Sequence, residues 1–258
     1  MTTTEPQETP GRLTRTRKSR PVRVAEAIKD WVVEQGLQPG DRLPGEADLI
    51  ARFGMSKGTI REAMRLLQAQ GLVETKTGPG GGSFVGEVTK DRAHALLANY
   101  FYFRNITIDD IYELRVLLEP ELAASLAGRL SAAQLDDLRG IMADYDRAAA
   151  GPEEERAQHI ASLRFHAKLA AFGDNAILSF FISFMAQILS DLTVYNHLYA
   201  EPNHELWRRG RQHQLDLLDA LDRGEAARAR AVMASHMEMA RSLMREQEAV
   251  VMKRFIAE

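Results

Sequence analysis

Apolar residues recur with a helical period along most of the chain. From Pro21 onward, Val24, Ala27, Ile28, Trp31 and Val32 fall at i, i+3, i+4, i+7 and i+8, one stripe on one helix face. Leu37-Gln38-Pro39-Gly40-Asp41 interrupts it with turn-forming residues. A second, short helix opens at Leu43-Pro44-Gly45-Glu46, turns Leu49, Ile50 and Phe53 inward, and ends at Gly54. Ser56 suits the N-cap of a third helix, because its hydroxyl can accept a free backbone N–H. That helix buries Ile60, Ala63, Met64 and Leu67 and ends at Gly71. The pattern then turns strand-like in Leu72-Val73-Glu74-Thr75-Lys76 and Ser83-Phe84-Val85. The linking run Thr77-Gly78-Pro79-Gly80-Gly81-Gly82 marks a hairpin with a tip nearly free of side chains.

After a polar stretch, helical patterning returns and lasts to the end of the chain. It predicts helices near 92–103, 108–129, 131–149, 153–172, 174–199, 202–222 and 224–254. Thr107, Ser131, Gly151-Pro152, Gly173-Asp174, Pro202 and Gly224 punctuate them. Pro120 falls inside the second, where it removes the bond to the Val116 carbonyl and should kink the helix. The expected fold is mainly α: an N-terminal winged helix-turn-helix with a small β-hairpin wing, then a C-terminal all-α helical bundle. Such bundles can enclose a ligand pocket between helices. The expected division is a tail over 1–19, the winged helix over 20–86, a linker over 87–91 and the bundle over 92–250.

Composition then narrows the chemistry. The 258 residues contain no cysteine, which excludes disulfides, thiolate metal sites and iron–sulfur clusters. The net charge of −3 hides a division: residues 1–90 carry 14 Lys+Arg against 11 Asp+Glu, the rest 19 against 25. A basic head on an acidic body points to two tasks. The tail is aperiodic and reads as disordered; its Arg12, Arg15, Arg17 and Lys18 could meet phosphate or simply be solvated. It lacks the apolar core of a secretory signal, and the stretch 177–189 is too short and polar to span a bilayer, so the chain is expected in the cytoplasm, off the membrane.

The third helix carries the clearest functional signal. Lys57, Arg61 and Arg65 lie at i, i+4 and i+8, three cations along one side. Ser56 and Thr59 stand at its N-terminus, where free N–H groups and the helix dipole favour phosphate. Two helices joined by a tight turn, the second with a basic face, make a helix-turn-helix. In the body, His166, His213 and His236 fall on three different predicted helices without an HxxxH pair. Pattern alone favours three independent, satisfied or exposed histidines. Phe180, Phe181 and Phe184 suit a core or dimer contact better than a cofactor site.

The head also resembles a known family. Leu37-Gln38-Pro39-Gly40-Asp41-Arg42-Leu43-Pro44, Glu46, Ser56-Lys57-Gly58-Thr59-Ile60-Arg61-Glu62-Ala63, Leu66-Leu67 and Gly71-Leu72-Val73 look like the GntR-family winged helix. The resemblance implies contacts to double-stranded operator DNA from Ser56, Lys57, Thr59 and Arg61, and from the wing tip around Thr77 and Gly78; Arg65 on the same basic face and Lys76 on the wing are expected to join them. Ala47 stands where many relatives carry a base-reading arginine, worth about 1–3 kcal/mol of discrimination. Gly58 stands where a hydroxyl residue is common. Both departures imply an altered operator.

The body resembles the FCD ligand-sensing domain through Glu113-Leu114-Arg115-Val116-Leu117-Leu118-Glu119, Phe165-His166 with Asp174-Asn175, and His213 with Asp222-Arg223-Gly224-Glu225-Ala226-Ala227 and His236. In that family an aspartate and three histidines hold a divalent metal. The histidines match His166, His213 and His236, while the aspartate position is Ser162. The resemblance therefore implies zinc or nickel on three imidazoles, more weakly than with a carboxylate; the alternative is a metal-free polar pocket. It also places Arg115 beside a small carboxylate effector; otherwise Arg115 simply pairs with Glu119 at i+4. Asn196 and Tyr195 are further candidates to complete that pocket, outside what the resemblance implies. The function expected is a homodimeric, ligand-responsive transcriptional repressor released from a palindromic operator by a small organic acid, not an enzyme. The alternatives are a three-histidine metalloenzyme and a DNA-binding protein with a degenerate body.

Overall fold

A computed structural model describes residues 18–104, 106–195 and 204–257. Nearly all of the tail, and Asn196, lie outside them. The chain divides into two compact units between Ala93 and His94.

The first unit contains α1 (Arg20–Glu34), α2 (Glu46–Phe53), α3 (Lys57–Gln70) and the strands β1 (Val73–Lys76) and β2 (Gly82–Val85). The expected apolar stripes meet in one core: Val24 and Ile28 from α1, Leu49 from α2, Ile60, Ala63 and Leu67 from α3. Ser56 caps α3, its hydroxyl accepting from the Thr59 N–H at 3.3 Å. The strands pair antiparallel, from Val73 opposite Val85 to Lys76 opposite Gly82. The segment before α2 pins this wing to the helices. Leu43 N–H donates to the Ser83 carbonyl at 2.8 Å, and Val85 N–H to the Asp41 carbonyl at 2.8 Å. At the wing tip a Cβ on Gly81 would stand 2.5 Å from the Lys76 carbonyl oxygen, so the turn admits only glycine there.

The second unit is a helical bundle. It takes most of α4 (Lys90–Tyr102), then α5 (Ile108–Leu126), α6 (Ala132–Met142), α7 (Pro152–Ala171), α8 (Ala176–Tyr195), α9 (His204–Asp222) and α10 (Ala226–Ala257). Thr107 and Ser131 start α5 and α6 with capping boxes, answered by Asp110 and Gln134. Pro152 occupies the first turn of α7, where its missing N–H costs nothing. α10 runs along α5 and α9, and α7 along α8. Leu122, Leu138, Phe165, Leu169, Ile182, Met233 and Met237 belong to the core between them. α5 continues through Pro120 as one element.

One element differs from expectation. The helix expected over 131–149 ends at Met142, and Ala143–Tyr145 forms a single 3-10 turn. Tertiary hydrogen bonds account for this. Buried Tyr145 donates from its hydroxyl to Gln214 Oε1 on α9 at 3.0 Å, and its carbonyl accepts from Trp207 Nε1 at 3.0 Å. Among the described residues no helix is long and apolar enough to cross a membrane.

The two units bury separate cores. Leu67→Ala is expected to destabilise the first by about 2–5 kcal/mol through the cavity it leaves. Hydrogen exchange should show faster amides in α1–α3, with core amides of α5, α7 and α10 unchanged.

Candidate functional site

Two sites emerge, one in each unit. In the first, α3 presents Lys57, Arg61 and Arg65 on an exposed face beside the wing. Their charges are not all free. Glu46, the first residue of α2, lies 3.2 Å from Lys57 Nζ and 2.9 Å from Arg61 Nε. Its carboxyl is held below the ordinary range, chiefly by the Lys57 hydrogen bond. Arg61 spends only Nε on Glu46, so both terminal nitrogens of its fork stay available. Arg65 leans on Glu62 at 3.5 Å. Ser56 and Thr59 hydroxyls are 3.0 Å apart at the helix start. On the wing, Lys76 holds its ammonium 4.8 Å from the Phe84 ring centroid, and Thr77 and Gly78 are exposed at the turn. The bridging role of Glu46 was not legible in spacing, because it joins two helices across a turn.

In the second unit, α5, α7, α9, α10 and Tyr145 of the 3-10 turn line a cavity of about 50 Å³. Arg115 comes from α5, Gln158, Ser162 and His166 from α7, Arg211 from α9 and His236 from α10. Arg115, only 1% exposed, gives Nε to Glu119 one turn later. The other Glu119 oxygen meets His166 Nδ1. Burial pushes the Glu119 carboxyl up, but Arg115 and His166 outweigh it and hold it at about 2. Glu119 is therefore ionised, which fixes the His166 proton on Nδ1. Burial lowers His166, which stays neutral, so its Nε2 is a bare acceptor. His236 Nε2 lies 3.2 Å away and donates to it. This leaves His236 Nδ1 as an acceptor, buried without a partner. Arg115 Nη2 is likewise buried and unpartnered.

The metal expectation does not survive this geometry. Among the described residues no group of three or more His, Asp or Glu side chains is arranged to hold a metal ion. His166 and His236 do meet, their rings stacked 5.1 Å apart, but His166 has both nitrogens engaged. His213 sets its ring against His236 at 5.5 Å and does not line the cavity. Ser162 supplies no negative charge, and its hydroxyl accepts from Gln214 Nε2 at 3.1 Å. Arg115 adds a fixed positive charge that lowers both His166 and His236, after burial and other neighbours, and opposes a divalent cation.

Some cavity residues were missed by sequence reasoning. Glu155 and Gln158 share one face of α7 at helical spacing with the already noted Ser162 and His166, with His159 beside them, a pattern that could have found them. His159 falls to about 3, through burial first and then Arg115 and His166. Arg211, Trp207 and Tyr145 carried no comparable signal. The aromatic cluster is partly core: Phe184 is buried, and the His94 ring sits 4.7 Å from Phe180 and 5.3 Å from Phe184.

Comparison with known proteins agrees with this division. Residues 21–85 match the model of bacterial regulatory proteins of the gntR family, and residues 110–239 match the FCD domain. The chain is 28% identical over 198 residues to the Glc operon transcriptional activator of Escherichia coli strain K12, covering 75% of this chain and 74% of that protein. It is 26% identical over 204 residues to the HTH-type transcriptional regulator LutR of Bacillus subtilis, covering 78% and 90%. Among solved structures, Streptococcus agalactiae GntR shares the fold with a TM-score of 0.60 and 21% identity, over 86% of this chain and 99% of that one.

The cavity predicts how stability responds to acid and to chelators. His159, His166, His213 and His236 are all lowered from their ordinary 6.5, burial being the largest cause. The unfolded chain thus binds protons that the native state refuses, and stability falls as pH drops below about 6.5. Glu119 adds to this between its ordinary 4.5 and its native value of about 2. Thermal melts should show Tm declining from pH 7.5 to pH 5, while EDTA at pH 7.5 leaves Tm unchanged. A Tm that is flat with pH, or that drops with EDTA, would contradict this account.

Proposed function

The chain belongs to the GntR family of bacterial regulatory proteins and carries its FCD domain, and from that premise we propose that it is a homodimeric repressor released from a palindromic operator by a small organic acid. At the family level it is a ligand-sensing, DNA-binding transcriptional regulator and not an enzyme. The observation that carries the effector reading is Arg115: a buried guanidinium with an unpartnered nitrogen, on a residue lining a cavity between helices. A carboxylate is the natural complement of that donor, through a charge-assisted hydrogen bond.

On the DNA side, Ser56, Lys57, Thr59, Arg61 and Arg65 contact the operator from α3, and Lys76, Thr77 and Gly78 from the wing. The exposed basic face and its accessible helix N-terminus support this. One recognition helix reads one half-site, so a palindrome calls for two copies. Exposed Leu114 and Leu117 on α5 and Ile177 on α8 support a partner surface on the sensor. The acid acts by binding the DNA-incompetent arrangement of the dimer more tightly than the competent one. The E. coli relative is named an activator. Operator position relative to the promoter can set that sign without a change of fold.

Arg61→Ala should weaken operator binding by about 1–3 kcal/mol while random-sequence DNA is affected less. Unchanged operator affinity in an anisotropy titration would reject the contact. Glu46→Gln should do the reverse: freeing Lys57 and Arg61 raises affinity for random-sequence DNA and steepens its salt dependence, by about 0.9 in the log–log slope per added phosphate contact. Titrating short carboxylic acids against the operator complex should release it. An acid that binds the protein yet leaves the complex intact would refute the coupling.

A further inference from the structure

The glycines of the wing tip divide into two pairs with different surroundings. Gly78 and Gly80 are exposed, and a Cβ on either would meet no atom within 4 Å. Gly81 and Gly82 are half-buried. A Cβ on Gly82 would stand 3.2 Å from Arg42 Nη2 and 3.3 Å from its Nε, so this glycine leaves room for the guanidinium. Arg42 Nη2 donates to the Gly81 carbonyl at 2.8 Å, a bond between residues 39 positions apart. The Gly81 N–H donates to the Gly78 carbonyl at 2.8 Å and closes the turn. One side chain thus reaches from the segment before α2 to the residue that closes the tip.

That segment is built to hold it. Arg42 faces Phe84 in antiparallel register, between the backbone bonds that join Leu43 to Ser83 and Val85 to Asp41, and so lies beside β2 as a short third strand. Its continuation reaches Glu46, which pairs with Lys57 and Arg61 of α3. Packing on α3 does not fix the outer wing, because a groove of about 470 Å³ lies between them, lined by Arg61, Arg65 and Gln68 on one side and Thr75 and Ser83 on the other. The segment before α2 therefore holds the wing tip through Arg42 and the basic face of α3 through Glu46.

Resting on the wing contacts proposed above, we propose that Arg42 is a positioning residue for operator recognition. Its bond to the Gly81 carbonyl sets the orientation of the turn that presents Thr77 and Gly78, so that the wing and α3 reach one half-site together. Arg42 acts through the tip and does not itself touch DNA. Without the bond the strands keep their pairing, from Val73 with Val85 to Lys76 with Gly82, and the turn beyond them loses its fixed direction.

A double-mutant cycle on the full-length protein tests the assignment. The probe is a duplex that the native protein selects from a random-sequence pool, and binding is read by anisotropy. Arg42→Met is expected to weaken binding about three- to tenfold, the range of one intramolecular hydrogen bond, with an unchanged slope of log affinity on log salt. Arg42→Lys should recover part of the loss. In the Arg42→Met background Thr77→Ala should cost less than it does in the native protein, whereas Arg61→Ala should cost the same in both. Unchanged affinity in Arg42→Met overturns the proposal. A salt slope shallower by about 0.9 also overturns it, since Arg42 would then be a phosphate contact in its own right. Additive losses for Arg42→Met and Thr77→Ala overturn it too, as does equal coupling to Arg61→Ala, which would mark a general loosening of the head. Each of these leaves the wing contacts standing so long as Thr77→Ala or Lys76→Ala alone weakens binding. If neither does, the wing contacts fall and the role of Arg42 falls with them.

Discussion

A carboxylate buried among helices has to be neutralised, and the sensor bundle is arranged around how Glu119 meets that demand. Desolvation of such an anion costs several kcal/mol unless partners satisfy both oxygens. Arg115, one turn earlier on α5, takes one oxygen, and His166 on α7 takes the other. The second contact locks two helices at a fixed approach. It also fixes the imidazole tautomer, and through Nε2 it orients His236 on α10. Three helices are thereby set by one anion. Loss of any member would strand a buried charge, a change typically worth about 3–5 kcal/mol. The same arrangement leaves Arg115 Nη2 and His236 Nδ1 buried without partners, on two residues that line the cavity. The structural ion pair and part of the cavity lining are one assembly.

Charge is handled differently in the head. Glu46 holds Lys57 and Arg61 in pairs that are mostly solvent-exposed. Exposed pairs of this kind contribute only about 0–1 kcal/mol, so phosphate can displace the carboxylate cheaply. The pairing keeps the basic face ordered and partly neutralised in the absence of DNA. Glu119 resists exchange because its environment is dry, whereas Glu46 permits it because water is present. The net charge of −3 averages over these two regimes. Within the head the basic excess is real, but its most central cations carry an internal counter-charge.

Much of the fold was legible in the sequence because local rules decide it. The stripe of Val24, Ile28 and Trp31, the Ser56 cap, the capping boxes at Thr107 and Ser131 and the glycine-rich wing tip each depend on neighbours a few residues away. The expected helices consequently appear with small boundary shifts. The exception, Tyr145, is drawn out of a helix by hydrogen bonds to Gln214 and Trp207, residues more than sixty positions away. Pairings across such distances leave no periodic trace.

The sequence by itself determined the two-unit organisation, the basic face of α3, the hairpin and the family that their order reveals. It also showed Arg115 and Glu119 one helical turn apart. Only the tertiary structure decided that this pair is buried, that His166 and His236 meet while His213 stays out of the cavity, and that Ser162 bonds Gln214 instead of helping a metal. It alone brought Arg211 to the cavity that Arg115 also lines. The physical reason is the same in each case: helical period fixes which way a side chain points, but what stands opposite it, and whether water remains between, is settled when distant helices pack.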